Sequence, residues 1–240
     1  MNYIKLFEEF DPKYIIPLME KIGKKLPKFG HAKMCFEFGK NCIIKFFQLD
    51  KDIETEIVNC IEQKKLNLSI LPKIYKIGMI KPKGNDYFKN LFGKYLSNGR
   101  MVFDENKKVF FIIEEKFFID KNNIEDLIDL TIKYIYHEGF SLKNHLIKHI
   151  QYDVYKKPYL RERLESFREC LDLNEKNLFD SIVNIHTILK NNKIIITDPI
   201  GNRDNYGRNK KGDLILIDLD DANHYGPKKK YNEKDLDYIF

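Results

Sequence analysis

Apolar residues in the first 25 positions recur at helical spacing (Ile15, Ile16, Leu18, Met19, Ile22), which predicts one or two helices over 2–25, broken near Pro12. The period then shortens to two. Runs at 34–38 and 42–47, joined by Gly39-Lys40-Asn41, predict a β-hairpin. Helical spacing returns over 50–65 through Ile53, Ile57, Val58 and Ile61, with Asp50 or Asp52 as N-cap. Residues 68–80 and 108–117 read as two more strands, with a loop or an irregular helix around Tyr87–Tyr95 between them. From 121 to 192 the chain is mainly helical, in segments 123–138, 141–156, 158–171 and 174–191, the last capped by Asn174. Short strands at 193–197 and 213–217 follow, and there is no internal repeat. The order predicts an α+β protein with a small sheet in its first half and a mainly helical second half.

Composition narrows the class. Hydrophobic residues at 43% and charged residues at 32% fit a packed globular chain and argue against disorder. No apolar run approaches the roughly 20 residues of a membrane span, and acidic residues interrupt the first ten positions where a signal peptide would be apolar. The expectation is a cytoplasmic protein, in the host cytoplasm if the chain is viral, with no membrane partner. Cys35, Cys42, Cys60 and Cys170 have no metal-ligand spacing and read as buried thiols of a reducing compartment. A net charge of +6 favours polyanions, but the cations are scattered and only Lys228–Lys230 is dense, so a nucleic-acid partner ranks below a nucleotide.

Candidate chemistry sits in three separated pieces. Lys45 is alone in the apolar strand "CIIKFF", where a lysine at a sheet edge would ordinarily snorkel to solvent. Glu54 and Glu56 lie on the next helix, which would ordinarily expose them. The loop "TDPIGNRDNYGR" (197–208) carries more Asp, Asn and Arg than a hairpin turn needs, and "LILID" after it ends in Asp218. In this order the pieces match what phosphoryl transfer from ATP requires. A strand-borne Lys neutralises phosphate, a helix Glu orients it, Asn and Asp hold Mg2+, and another Asp orients the acceptor hydroxyl.

On these residues the sequence resembles the protein-kinase-like fold, and its later part is closest to the aminoglycoside-phosphotransferase and choline-kinase branch. "CIIKF" resembles the lysine strand, "IETE" the start of the glutamate helix, and "FFIIEEKF" the last strand of the N-lobe running into the hinge. "ITD…NYGRNKKGDLILIDLDDA" resembles the catalytic loop and metal-binding strand, and the thirteen residues from Asn205 to Asp218 match the family's interval. The resemblance covers roughly residues 28–222, the first 25 matching nothing in the family. It implies an N-lobe with a small antiparallel sheet, carrying an extra N-terminal helical segment, over 1–113, a hinge at 114–120 and a helical C-lobe with the catalytic loop and metal-binding strand over 121–240. It implies ATP and Mg2+ as cofactors, with Lys45, Glu56 (or Glu54), Gly30, Glu114 and Glu115 at the nucleotide. Asn205 and Asp218 would hold the metal. Asp198 would be catalytic, with Asp204 as its competitor and Asn202 able to share the role, and Arg203 or Arg208 would offset transition-state charge.

The sequence departs from the family in places. Asp198 precedes Asn205 by seven residues, two more than the usual interval. "FGHAK" holds a single Gly where a phosphate-covering loop commonly has several, and the final triad is "DLD". Only 22 residues follow Asp218, too few for a conventional activation segment and peptide-binding helices. The expected function is therefore transfer of the γ-phosphate to a hydroxyl of a small molecule or an unusual protein acceptor. The alternative is a pseudokinase acting as a nucleotide-binding or regulatory module; a basic nucleic-acid-binding protein ranks third.

Overall fold

The computed structural model describes residues 21–26, 34–48, 51–81, 104, 106–118, 121–138, 158–196, 206–217, 222–224 and 232–239. Among these, no helix is long and apolar enough to cross a membrane. They fall into two compact units, one within Met1–Leu68, Lys73–Lys116 and Lys228–Phe240, the other within Ser69–Pro72 and Phe117–Pro227. Set beside the divisions expected at 113 and 120, residues 228–240 cluster with the sheet unit and 69–72 with the helical one. The protein is α+β.

The first unit holds a six-stranded sheet in the order β1 (Ile22–Leu26), β2 (Met34–Phe38), β3 (Cys42–Gln48), β5 (Val109–Glu115), β4 (Ile74–Ile80) and β10 (Tyr238–Ile239). All neighbours are antiparallel except β4 and β10. Helix α1 (Lys51–Leu66) connects β3 to β4. Side chains alternate between the two faces of each strand. One face carries Phe47, Phe110, Ile112, Ile77 and Met79, which form a single buried cluster with Ile57 and Ile61 of α1. The other carries Phe36, Phe46 and Phe111, each at most 1% exposed and in edge or tilted ring contact. Both faces of β3 and β5 are buried, which is why their sequences run apolar without alternation.

The second unit packs α2 (Lys121–Glu138), α3 (Pro158–Glu169) and α4 (Leu173–Asn191) with two strand pairs, β6 (Ile194–Ile196) with β9 (Ala222–His224) and β7 (Tyr206–Arg208) with β8 (Leu214–Leu216). Phe167 of α3 is the centre of its aromatic core, with ring centroids 4.9 Å from Tyr134 and 5.6 Å from Phe179. Leu127, Leu130 and Tyr134 of α2, and Phe179, Ile182, Ile185 and Leu189 of α4, are buried at helical spacing.

Several elements differ from the sequence pattern, each for a definable reason. Residues 22–26 form a strand, since pairing of Ile22 with Phe38 and Leu26 with Cys35 overrides the helical spacing that runs up to Ile22. The strand expected from 68 begins at Ile74. Pro72 interrupts it, and Ile70 instead accepts a backbone hydrogen bond from Leu216 at 2.9 Å within the second unit. α1 begins at Lys51, which leaves Asp52 inside its first turn. The cap of α4 is Asp172, not Asn174. Asp172 accepts from the Glu175 backbone N–H at 2.9 Å, and Glu175 accepts from the Asp172 N–H at 3.1 Å, a reciprocal capping box. The strands around the 197–208 loop do not pair with each other, since β6 takes β9 and β7 takes β8. The expected segments 2–20, 81–107 (apart from 81, 104, 106 and 107) and 141–156 lie outside the described residues.

Phe167→Ala removes a ring shared by three helices and should cost about 3–5 kcal/mol. Chemical denaturation followed by near-ultraviolet circular dichroism checks this; a loss below about 1 kcal/mol would contradict the packing described.

Candidate functional site

In the first unit the chemistry starts from one buried cation. Lys45 occupies the middle of β3, opposite Cys35 on β2 and Ile112 on β5, and is only 8% exposed. Register puts Ile43 opposite Glu114, so Lys45 and Glu114 are diagonal neighbours on one face of the sheet. Lys45 Nζ lies 2.7 Å from Glu114 Oε1, a buried ion pair. An ammonium in such surroundings requires a counter-charge. Cys35 shares this environment. Burial pushes its thiol up to about 12, partly offset by the Lys45 charge, so it stays protonated and unreactive.

α1 covers the face that carries Lys45, with Ile57 fully buried against the sheet. Glu54 and Glu56 are both half-buried, and Glu56 Oε2 is shut off from solvent. Glu115, the residue after Glu114, ends β5; its N–H donates to Lys73 O at 2.9 Å, and the strand turns away after Lys116, whose N–H donates to Asn41 O at 2.9 Å.

In the second unit, β7 is held from both sides. Tyr206 and Arg208 pair with Leu216 and Leu214 of β8, and on the other edge Arg208 and Phe118 exchange backbone hydrogen bonds at 2.8 and 2.9 Å. A Cβ at Gly207 would come within 2.9 Å of the Phe118 carbonyl oxygen, so this close approach needs glycine. The β7–β8 turn closes through Gly212 at φ +89, with Asn209 Oδ1 accepting from the Lys211 and Asp213 N–H groups. The Arg208 guanidinium donates to Gly212 O at 2.6 Å across this turn.

The start of β7 has a buried anchor as well. His186 of α4 is 0% exposed, and its Nε2 lies 2.7 Å from the Tyr206 hydroxyl. Burial lowers the imidazole from its ordinary 6.5 to about 3, so it is neutral and can pair with the phenol as donor or acceptor. Sequence reasoning missed this pair. Its signal is a histidine between Ile182, Ile185 and Leu189 on the apolar face of a helix, where a polar ring demands a partner.

Of the residues expected at the site, Lys45, Glu54, Glu56, Glu114, Glu115 and Arg208 are described, and the first five belong to the sheet unit. Gly30, Asp198, Asn202, Arg203, Asp204, Asn205 and Asp218 lie outside the described residues. A cavity of about 820 Å³ in the second unit borders Asp126, Asp129, Lys133, Arg208 and Leu214. It adjoins the closed end of the β7–β8 hairpin, whereas Asn205 and Asp218 flank the open end in sequence. No protein-family model matches this chain, and no curated protein matches it.

His186 makes stability depend on acid. Below pH 6.5 the unfolded chain takes up a proton that the folded imidazole refuses until about pH 3. This contribution is therefore complete above pH 6.5 and is lost as pH falls, by up to about 1.4 kcal/mol per pH unit within that window. Urea denaturation at stepped pH should show this slope in the wild type and a shallower one in His186→Gln. Equal slopes would remove His186 as its source.

Proposed function

We propose that this protein is an ATP-dependent phosphotransferase of protein-kinase-like fold, acting on a hydroxyl of a small molecule or an unusual protein acceptor. The observation that carries this reading is the buried Lys45–Glu114 pair. A solvated lysine has no need of the middle of an apolar strand. A lysine kept there with a carboxylate 2.7 Å away is a fixed positive charge, the group that phosphoryl transfer places against nucleotide phosphates.

The order of elements supports the same reading. The lysine lies on β3, a helix bearing Glu54 and Glu56 follows it directly, and β5 beside it leads into the helical unit. This is the arrangement in which a helix glutamate orients a strand lysine. The β7–β8 hairpin adds support from register. Tyr206 opposes Leu216, so the chain enters β7 and leaves β8 at the same end of the hairpin. In sequence Asn205 directly precedes Tyr206 and Asp218 directly follows Ile217. Two oxygen-bearing side chains at these positions suit Mg2+, which binds through a few carboxylate or amide oxygens together with phosphate and water.

In the proposed reaction Lys45 neutralises phosphate charge, held by Glu114 across the sheet and by Glu56 from the helix. Asn205 and Asp218 would hold Mg2+, which would shield charge on the transferring phosphoryl group. Asp198, or Asp204 in the lengthened loop, orients the acceptor hydroxyl and receives its proton. The single Gly of "FGHAK" and the longer loop favour a second reading, a pseudokinase that binds nucleotide without turnover.

Release and transfer of labelled phosphate from ATP separates the two. Lys45→Met alone would strand the Glu114 carboxylate, a loss of about 3–5 kcal/mol, whereas Lys45→Met/Glu114→Met should fold close to wild-type stability and transfer no phosphate. Transfer at the wild-type rate by that double variant would sink the assignment. Asp198→Ala should lower turnover at least about a hundredfold with nucleotide binding kept. If Asp204→Ala is the dead variant instead, the two loop carboxylates exchange roles.

A further inference from the structure

Residues 232–239 reach back to the sheet unit and grip it at three places. Asn232 caps a short 3-10 turn over Glu233–Asp235, after which β10 pairs in parallel with β4, Tyr238 opposite Gly78 and Ile239 opposite Met79. Leu236 packs against the cluster formed by Ile57, Ile61, Ile77 and Ile112. Three ion pairs surround it: Lys108 with Glu233, Lys65 with Asp235, and Lys64 with Asp237.

These contacts are not equal. The Lys65 and Asp235 side chains are 55% and 37% exposed, and the Lys108–Glu233 pair is similarly open, so solvent screens both. The Lys64 and Asp237 side chains are 29% and 21% exposed, and Asp237 does more than pair. Its Oδ2 accepts from the Ile77 N–H at 2.7 Å, and its own N–H donates to Ile77 O at 2.8 Å. One residue thus joins the last turn of α1 to the middle of β4. Glu56 stands eight residues before Lys64 on the same helix, about 12 Å along its axis at 1.5 Å per residue. Were α1 to pivot by ten degrees or so at its anchored end, Glu56 would shift by about 2 Å, more than a charge pair with Lys45 tolerates.

We infer that Asp237 is a positioning residue, locking α1 to β4 so that the helix glutamate is held toward Lys45. The inference rests on the phosphotransfer reading. Its occupant is a segment of the same chain, and its chemistry is a carboxylate shared between one ammonium and one backbone amide. Covering the edge of β4 would account for β10 alone; it does not account for a carboxylate bridging strand and helix.

The test uses the full chain. Asp237→Asn keeps an oxygen for the Ile77 N–H and loses the charge that holds Lys64. Hydrogen exchange should then accelerate at least about tenfold in α1 with little change in β3 and β5, and calorimetry should show Mg-ATP binding weakened about tenfold. Lys64→Met, which leaves the carboxylate on the Ile77 N–H and removes its ammonium, should reproduce both effects, and a wild-type exchange rate and affinity in that variant would overturn the inference. Acceleration spread evenly over sheet and helix would mark a merely structural contact and overturn the inference. So would unchanged Mg-ATP affinity in Asp237→Asn beside a wild type that binds. A wild type that binds no Mg-ATP would instead overturn the phosphotransfer reading, and this inference with it.

Discussion

Transferring an ammonium from water into a sheet of phenylalanine and isoleucine costs several kcal/mol even after relaxation, and much of the first unit follows from that cost at Lys45. The charge must be met by a carboxylate that reaches the same face of the sheet. Glu114 is that residue, set there by the β3–β5 register that also pairs Phe46 with Phe111 and Phe47 with Phe110. A shift by one residue would send Lys45 into the opposite, aromatic face and leave Glu114 buried alone. The ion pair and the aromatic core therefore enforce the same register. An ion pair of this kind adds little net stability compared with an apolar pair of equal volume.

The second unit solves a different problem, holding a short strand where its sequence supplies little β preference. "YGR" pairs as β7 because every neighbour cooperates: β8 on one edge, Phe118 on the other, glycine where the backbones crowd, and His186 beneath the tyrosine hydroxyl.

Much of this was legible in the chain, and the misses have physical causes. β2, β3, β5, α1 and α4 are long or strongly periodic, and the sequence pattern finds them within a residue or two. β1 follows a helical stripe and becomes a strand only through its pairing with β2, which no local window reveals. β7, β9 and β10 are two or three residues long and depend entirely on distant partners. The Asp172 cap was legible as Asp-x-x-Glu and was hidden only by a second good capping residue, Asn174, two positions on. In the candidate site, Lys45 announces itself as a lone cation in an apolar run. Its partner Glu114 does not, because a diagonal neighbour across two strands exists only once register is known. His186 lay in plain view on an apolar helix face, and Asp237 gave no local signal at all.

The interleaving of the two units also bears on how the chain acquires its fold. Residues 69–72, between α1 and β4 of the first unit, belong to the second, while β10 returns to the first from beyond the second. The bond from Ile77 to Asp237 spans 160 positions. Closing such a loop costs entropy before any contact repays it, and contacts of this separation slow folding. On the ribosome, the sheet would wait with the edge of β4 bare until its last strand emerged, and cutting the chain at Lys116 would yield two fragments that each lack a piece of their own unit. The two units are separate as compact bodies but not as stretches of sequence, and the chain must be inherited, synthesised and folded as one.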